Sequence, residues 1–403
     1  MTGRRTGDML DTTNLFEYIP DIGAYETGLI NLFFKNLDIG TEWGEAKMLP
    51  YLLLGGTSLT GSLLPERKPA YQRAFLLGMG VLYWLLASLR YVTGFDYRFY
   101  EKYFCFTATS DIAGLATFGQ IEPGYRLLNV IVSGLGGDYR VFLFVFHFLF
   151  TALVFVWLAR YSAIPWMSAY LFLTLQYFAL GMNFLRQALA GAIILWIYPF
   201  LKSRRLLPCF GLILLASCFH RTALIMLPLC ILLSLRPSKL HYGLSALAAV
   251  SGYFLMDPFI KVVVSIVPKY QHYLTEKYWQ GNSFRYLLMP IGCFLIALPL
   301  IRRAMQVKSE SPVLANSMFY ALLMQVFITK HFILERLSIY VAFFALIALP
   351  EAIRAADQRT ARLRTGLLLG GCFLYFLFAA SQGFHGVYPF HGIWDKAQTL
   401  APH

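Results

Sequence analysis

The chain is poor in charge. Asp, Glu, Lys and Arg make up only 14% of its 403 residues, whereas 58% of the residues are hydrophobic and 17% are aromatic. A chain of this length usually forms two or three soluble domains, but such domains carry about 25% charged residues. The hydrophobic excess is spread along the whole sequence. The composition therefore predicts an all-α, polytopic bundle of transmembrane helices.

The chain also lacks the patterns of several functional classes. Its six cysteines are scattered, with no C-x-x-C pair and no metal-ligand spacing, so we expect neither a disulfide framework nor a zinc site. No Walker A, G-x-S-x-G, H-E-x-x-H or Rossmann glycine pattern occurs. The first 47 residues contain no hydrophobic core of a cleavable signal peptide. ATPase, serine hydrolase, zinc protease and dinucleotide chemistry are not expected.

Apolar runs of roughly 15–20 residues, the length that crosses about 30 Å of hydrocarbon, recur along the chain. They predict about 12 spans, within a range of 10–13, and a short interfacial or re-entrant helix near 126–136. The expected spans are 48–64, 74–90, 141–157, 163–181, 184–201, 206–219, 222–235, 242–256, 286–301, 312–329, 337–350 and 365–381.

The net charge of +13 lies mostly in alternate short connections, which is the positive-inside pattern. The basic connections hold Arg67, Lys68 and Arg73; Arg160; Lys202, Arg204 and Arg205; Arg236 and Lys239; Arg302, Arg303 and Lys308; and Arg354, Arg359, Arg362 and Arg364. This pattern places those connections in the cytoplasm and both termini outside. It also makes nucleic-acid binding unlikely to be the reason for the charge.

Three regions are expected. Residues 1–47 form a polar extension, which is either a small outer cap or the product of a misassigned start before Met48. Residues 48–385 form the transmembrane domain, and 386–403 form a short C-terminal tail.

The remaining charges near the apolar runs all fall on the outward side. They are Arg90, Asp96, Glu122, Arg186, His220, Glu335 and Arg336. A charge near hydrocarbon costs about 2.5–3.5 kcal/mol on insertion scales, so such residues usually have a function. Their common side predicts a reaction or transport site.

Each of these residues has a candidate role and a structural alternative. Asp96 follows a glycine that permits a tight turn, and a desolvated carboxylate there could act as a base, or it could simply pair with Arg90. Glu122 heads a short helix, where it could act in catalysis or only cap the helix dipole.

Arg186 and Arg336 suit phosphate recognition. The alternatives are that Arg186 reaches to lipid headgroups and that Glu335 neutralises Arg336.

His220 stands at the tip of a tight hairpin. A histidine there can relay a proton near neutral pH or donate to a phosphate oxygen. The alternative is that it only holds the turn.

Five segments in this order resemble the EpsG family of bacterial exopolysaccharide-biosynthesis membrane proteins. They read RYVTGFDYRFY, EPGYRLL, FLRQALA, LASCFHRTALIMLP and ERLSIYVAFF, and the resemblance covers roughly residues 70–350. The matching positions are Arg90, Gly94, Asp96, Tyr97, Tyr100, Glu122, Gly124, Arg186, Gln187, His220 and Arg336. Phe95 and Arg221 depart from the family pattern, in which a small hydroxyl residue is commoner at both places.

The resemblance implies a Wzy-like polymerase of the bacterial cytoplasmic membrane, with its site facing the periplasm or the outside. It would transfer a growing glycan from undecaprenyl diphosphate to the next lipid-linked repeat unit. Asp96, Glu122 and His220 are then the candidate catalytic residues, and Arg186, Arg336 and Arg90 hold the diphosphate. The expected supporting residues are Gly94, Tyr97, Tyr100, Gln187 and Tyr340.

The expected ligand is an oligosaccharide linked to undecaprenyl diphosphate. A flippase and a chain-length regulator are the protein partners that such a system could supply. No cofactor is expected, because the diphosphate leaving group carries the energy. A divalent metal stays open, because carboxylates face the diphosphate, but the several arginines disfavour one. Two other functions stay open: a C-type glycosyltransferase that adds a single sugar, and a flippase or exporter of the same lipid-linked oligosaccharide.

Overall fold

The computed structural model of the chain describes residues 45–65, 68–109, 121–266, 284–307, 312–331 and 334–397. Within these ranges the chain is helical, and its one bridge between extended segments joins Arg90 to Gly392. The described residues belong to one compact unit, Glu45–His403. The predicted N-terminal extension lies outside the described residues, except for its last three.

The α-helices follow one another with short connections. They are α1 (Glu45–Thr60), α2 (Pro69–Ser88), α3 (Tyr97–Thr109), α4 (Pro123–Gly134), α5 (Tyr139–Tyr161), α6 (Pro165–Thr174), α7 (Tyr177–Asn183), α8 (Leu185–Leu195), α9 (Tyr198–Lys202), α10 (Leu206–Ser217), α11 (Met226–Ser234), α12 (Lys239–Ile266), α13 (Leu288–Gln306), α14 (Val313–Ile328), α15 (Glu335–Ala342), α16 (Ala345–Arg354) and α17 (Gln358–Ser381). Short 3₁₀ turns cover Gly61–Leu63, Arg221–Ile225, Phe284–Leu287, Phe384–Gly386 and Ile393–Ala397.

Four of the described helices are long and apolar enough to cross a membrane: α5, α12 over Lys239–Val262, α13 and α17. The pair α15 and α16, bent by 45°, makes a fifth if it is one span. Shorter apolar helices cover Leu206–Ser217, Arg221–Ser234 and Val313–Ile328. The all-helical class is therefore confirmed for the described residues, whereas the number of about 12 spans is not.

Breaks inside the apolar runs account for much of this difference. The predicted span 163–181 divides after α6, where Gln176 takes a left-handed conformation with φ 68°. The predicted span 184–201 divides between α8 and α9, where Pro199 stands in the first turn of α9. Hydropathy measures the length of an apolar run but does not show where the backbone leaves the helix.

Close helix packing builds the core around α2, α5 and α6. A Cβ atom on Gly80 of α2 would lie 2.9 Å from Phe155 of α5, so the glycine lets these two helices approach. The Tyr83 ring lies 5.3 Å from Phe155 and 5.2 Å from Phe172, and its hydroxyl donates to the Ala169 carbonyl at 3.0 Å. Small and aromatic residues therefore interlock here, as dispersion-driven packing requires.

The short helix α4 occupies the region where the sequence predicts one near 126–136. It packs against α3 and α5 through a face that buries Tyr125, Asn129 and Val132. Pro123 stands in its first turn and fixes the backbone angle that starts the helix.

The C-terminal segment packs against the body of the protein. Backbone amides of Tyr91 and Ile393 donate to the carbonyls of His391 and Leu89 at 2.8 and 2.9 Å. The Tyr51 hydroxyl of α1 donates to the Val387 carbonyl at 2.6 Å. Residues 386–397 of the predicted tail thus form part of the same unit, because they satisfy backbone groups of the loop that follows α2.

Candidate active site

Glu122 lies at the junction of three segments. Its Oε2 accepts from Nη1 of Arg186 at 2.5 Å, and its Oε1 accepts from the Arg221 backbone amide at 3.2 Å. Nδ1 of His220 lies 3.3 Å from the same Oε1. The carboxylate makes no capping hydrogen bond to its own helix, so the helix-cap alternative does not describe it. It joins α4 to α8 and to the turn between α10 and α11.

Gly124 brings this junction together. Its amide donates to the Cys218 carbonyl at 2.7 Å, and a Cβ atom at position 124 would lie 2.8 Å from that same oxygen. A side chain there would separate α4 from the end of α10. The glycine in the segment EPGYRLL is therefore required for the close approach of two backbones.

The charge states of this junction follow from its burial and contacts. Burial by itself raises the pKa of Glu122, but the His220 ring and the Arg186 guanidinium outweigh it and lower the pKa to about 2. Burial lowers the pKa of His220, and the adjacent Glu122 opposes that shift. At neutral pH the pair consists of a carboxylate and a neutral imidazole.

Asp96 is held at the turn between α2 and α3. Gly94 adopts φ 102°, a conformation that favours glycine, and its amide donates to the Gly386 carbonyl at 2.7 Å. The Asp96 amide donates to Oδ1 of Asn183 at 2.9 Å. Asn183 is the last residue of α7, so one side chain ties the carboxylate loop to the break between α7 and α8.

Asp96 differs from Glu122 in its electrostatics. Burial raises the pKa of Asp96, while the Arg336 and Arg186 guanidiniums oppose the shift. No ion pair of Asp96 occurs among the described residues. It is a half-buried carboxylate with two arginines in electrostatic range and a proton affinity above that of an ordinary aspartate.

Arg186 stands in the first turn of α8, immediately after the break at Asn183 and Phe184. Besides Glu122 it faces the buried Tyr100 hydroxyl of α3. Its Nε is buried without a hydrogen-bond partner.

Arg336 opens α15, and its backbone carbonyl accepts from Nε2 of Gln187 in α8. Its guanidinium lies 5.3 Å from the Phe184 ring. It has no ion-pair partner among the residues that the structure describes. Nearby, the hydroxyls of Tyr340 and Thr222 lie 2.8 Å apart and link α15 to the His220 turn.

Asp96, Glu122, Arg186, His220 and Arg336 are hereafter called the Glu122 cluster. The structure brings all five together, with Tyr100, Gln187, Tyr340 and Gly94 around them. The cluster lies at the N-terminal ends of α3, α4 and α15 and at the α10–α11 turn. The break between α7 and α8 adds the fifth segment.

Arg90 lies against backbone carbonyls of α7 and of its own loop. It is 1% exposed, and its Nη1 donates to the carbonyls of Met182 and of Thr93, the latter at 3.2 Å. Its guanidinium lies 5.6 Å from the Tyr97 ring. Arg90 therefore binds the end of α7, where a cation suits the C-terminal carbonyls of a helix. Its Nε and Nη2 are buried without hydrogen-bond partners. Tyr97 is also buried.

Sequence reasoning missed several neighbours of the cluster, including Asn183, Phe184, Thr222 and the segment 384–392. A polar Asn183 inside an apolar run, three residues before Arg186, was a usable signal. No sequence pattern within 384–392 indicates its position beside the cluster, because its contacts are to residues about 300 positions earlier in the chain. Among the described residues, no group of three His, Cys, Asp or Glu side chains could hold a metal ion.

Comparison with known proteins places these observations in a family. Neither the curated proteins nor the solved structures provide a match to the chain. A family model does match, over residues 73–391, a range that holds the whole Glu122 cluster and most of the described C-terminal segment. Since the match covers well over half of the sequence, this chain belongs to the EpsG family.

Proposed function

We propose that this protein polymerises lipid-linked oligosaccharide repeat units at the outer face of the bacterial cytoplasmic membrane. The donor is a growing glycan on undecaprenyl diphosphate, and the acceptor is a sugar hydroxyl of the next lipid-linked unit. The main support is the setting of Asp96, a half-buried carboxylate without an ion-pair partner among the described residues, in electrostatic range of Arg186 and Arg336. Membership of the EpsG family supports a polysaccharide polymerase-type protein.

Asp96 is the proposed general base. Its raised pKa favours proton acceptance, whereas Glu122, with a pKa of about 2 and a guanidinium at 2.5 Å, is a weak base. The acceptor hydroxyl gives its proton to Asp96 as its oxygen bonds to the anomeric carbon of the donor. The bond from that carbon to the diphosphate oxygen breaks, and undecaprenyl diphosphate leaves with the electron pair.

The arginines have unequal roles in this proposal. Arg336 has no ion-pair partner among the described residues and is the principal ligand of the diphosphate. Arg186 is fixed by Glu122 and adds positive charge where the leaving group develops negative charge. Neutral His220 donates a hydrogen bond to a diphosphate oxygen, and Arg90 has a supporting role, since it binds the C-terminal end of α7. The reaction needs no nucleotide.

A deletion strain complemented with wild-type protein, Asp96→Asn or Arg186→Ala tests this function. The measurements are the surface polysaccharide and the lipid-linked glycan pool. We expect only the wild type to restore long polymer, with single repeat units accumulating on the outer leaflet in the variants. Inserted variants that still made full-length polymer would exclude the site assignment.

The same measurements separate the other two functions. Intermediates that differ by one sugar identify a glycosyltransferase of the single-sugar type. Repeat units that stay on the cytoplasmic leaflet identify a flippase or exporter. Either result replaces the polymerase proposal.

A further inference from the structure

The turn after α17 has an unusual backbone. Three of its four residues have positive φ angles: Gly383 at 62°, His385 at 62° and Gly386 at 64°. Glycine adopts this conformation freely, but a residue with a Cβ atom adopts it at a cost. A histidine held in this way usually marks a place where its side chain has a task.

The turn is fastened directly to the loop that carries Asp96. The carbonyls of Gly386 and His385 accept from the amides of Gly94 and Phe95, at 2.7 and 3.2 Å. A Cβ atom on Gly386 would lie 2.7 Å from the Phe95 ring, so this ring lies against the turn. The proposed base is therefore the next residue after a ring that contacts the turn.

Partly exposed rings lie at and beside this turn. Phe95 is 56% exposed. The His385 ring lies edge-on to Phe184 at 5.4 Å, and Phe384 stacks on Tyr286 at 5.8 Å with 22° between the ring planes. Phe184 also carries the Arg336 guanidinium at 5.3 Å. We call Phe95, Phe184, Phe384, His385 and Tyr286 the aromatic ledge.

From this arrangement we infer that the aromatic ledge is the binding site for the acceptor sugar, a further site that rests on the proposed polymerase function. A sugar ring presents C–H groups on its faces, and the negative face of an aromatic ring attracts them. His385 and Phe95 bind the acceptor beside Asp96. Arg336 lies against Phe184 of the ledge, so the proposed acceptor site adjoins the proposed diphosphate site.

The aromatic belt of membrane proteins is the competing explanation for exposed rings at an interface. Belt residues need no special backbone, because a regular helix end presents them to the headgroups. The ledge instead depends on a left-handed turn, a contact that only glycine at 386 permits, and two hydrogen bonds to the loop of the proposed base.

The test uses full-length protein in nanodiscs and two probes. One is the repeat-unit oligosaccharide released from the strain's own lipid-linked pool, and the other is undecaprenyl diphosphate. His385→Asn removes the imidazole but suits the left-handed backbone, since asparagine tolerates it. Phe95→Ala removes the exposed ring. Trp394→Ala is the matched control, because Trp394 is a 62% exposed aromatic residue of the same C-terminal segment outside the ledge.

We expect both ledge variants to weaken oligosaccharide binding about tenfold, the effect of losing one favourable ring contact. Undecaprenyl diphosphate binding should stay within about twofold of wild type, and Trp394→Ala should change neither affinity. Oligosaccharide affinities near wild type in both ledge variants would overturn the inference, as would a wild type that binds no oligosaccharide. If the ledge binds sugar but the deletion strain keeps its long polymer, the polymerase proposal fails and the sugar site stands.

Discussion

Two polar regions of this protein use their side chains in different ways. One is the Glu122 cluster. The other, the Asn316 network, consists of Asn316, Tyr242, His241, Tyr320 and Ser245 at the ends of α11, α12 and α14. Nδ2 of Asn316 donates to the carbonyls of Leu232, Leu233 and Leu235, at 3.2, 3.0 and 2.7 Å. Its Oδ1 accepts from the Tyr242 hydroxyl at 2.9 Å.

The two regions differ in the buried polar atoms that have no hydrogen-bond partner. Asn316 is 0% exposed, and both ends of its amide are used within the protein. In the Glu122 cluster, Nε of Arg186 and Nε2 of His220 are buried without hydrogen-bond partners. Nδ1 of His241 is also buried without a partner, so the contrast lies between the fully paired Asn316 amide and the charged side chains of the cluster. A fully paired amide stabilises the fold, whereas charged side chains with unused donors are suited to receive a ligand. The following changes test this comparison.

The largest effect is expected for Arg336→Ala. Loss of a charge that stabilises a developing anion typically lowers a rate by about 10²–10³-fold, and we expect such a loss in polymer formation by inserted protein. Arg336→Lys should restore only part of it, because an ammonium lacks the two-pronged donor geometry. The exposed Arg359 provides a control: Arg359→Ala should polymerise at the wild-type rate, and an equal loss there would point to a general charge effect.

Glu122→Gln should destabilise the protein strongly. The pKa of Glu122 falls from 4.5 to about 2 on folding, which corresponds to about 3 kcal/mol of stability at neutral pH. A depressed carboxylate pKa stabilises above the unfolded value, and the contribution is lost as pH falls from about 4.5 toward 2. Thermal unfolding in detergent at pH 7 and at pH 3 measures it. If the difference in unfolding temperature between wild type and variant did not become smaller at pH 3, the ion-pair explanation would be contradicted.

Asn316→Ala should affect stability without affecting chemistry. It removes a donor from the carbonyls of Leu232, Leu233 and Leu235, of which Leu233 has the fully buried hydrogen bond, at a cost of about 1–3 kcal/mol. Polymer formed per inserted molecule should remain at the wild-type level. The measurement is the amount of polymer formed divided by the amount of inserted protein. A fall in this ratio would show that Asn316 is needed for polymerisation and not only for stability.

The smallest effect is expected for Tyr242→Phe. This change removes one hydrogen bond to Asn316 while keeping the ring that stacks on Phe319 at 4.1 Å, so the expected cost is about 1 kcal/mol. Measuring Asn316→Ala, Tyr242→Phe and the double variant provides a coupling energy. If the two single changes in the free energy of unfolding simply add up in the double variant, the hydroxyl and the amide do not act as one unit.

The sequence predicts the cluster better than it predicts the spans. Asp96, Glu122, Arg186, His220 and Arg336 were all identifiable because charge at the end of an apolar run is rare and stands out locally. The number of about 12 spans is not confirmed, and the break at Gln176, inside one predicted span, has no clear mark in the sequence. A left-handed glutamine depends on the packing around it.

Arg90 shows the limit of the same reasoning for a single residue. Its sequence position, beside Gly94 and Asp96, resembles that of a ligand-binding arginine. In the structure it is 1% exposed and donates to backbone carbonyls of α7 and of its own loop. Sequence can place a charge at a membrane interface but cannot show whether it faces the site or the protein interior.

The sequence by itself determined the helical class, the family and the order of the charged segments, because hydropathy and motifs are properties of neighbouring residues. Only the tertiary structure decided that Glu122 pairs with Arg186, 64 residues away, and that the turn at Gly383–Gly386 borders the Asp96 loop. These pairings depend on how helix connections from distant parts of the chain meet. That is fixed by the packing of the whole bundle, including the close contacts at Gly80 and Gly124.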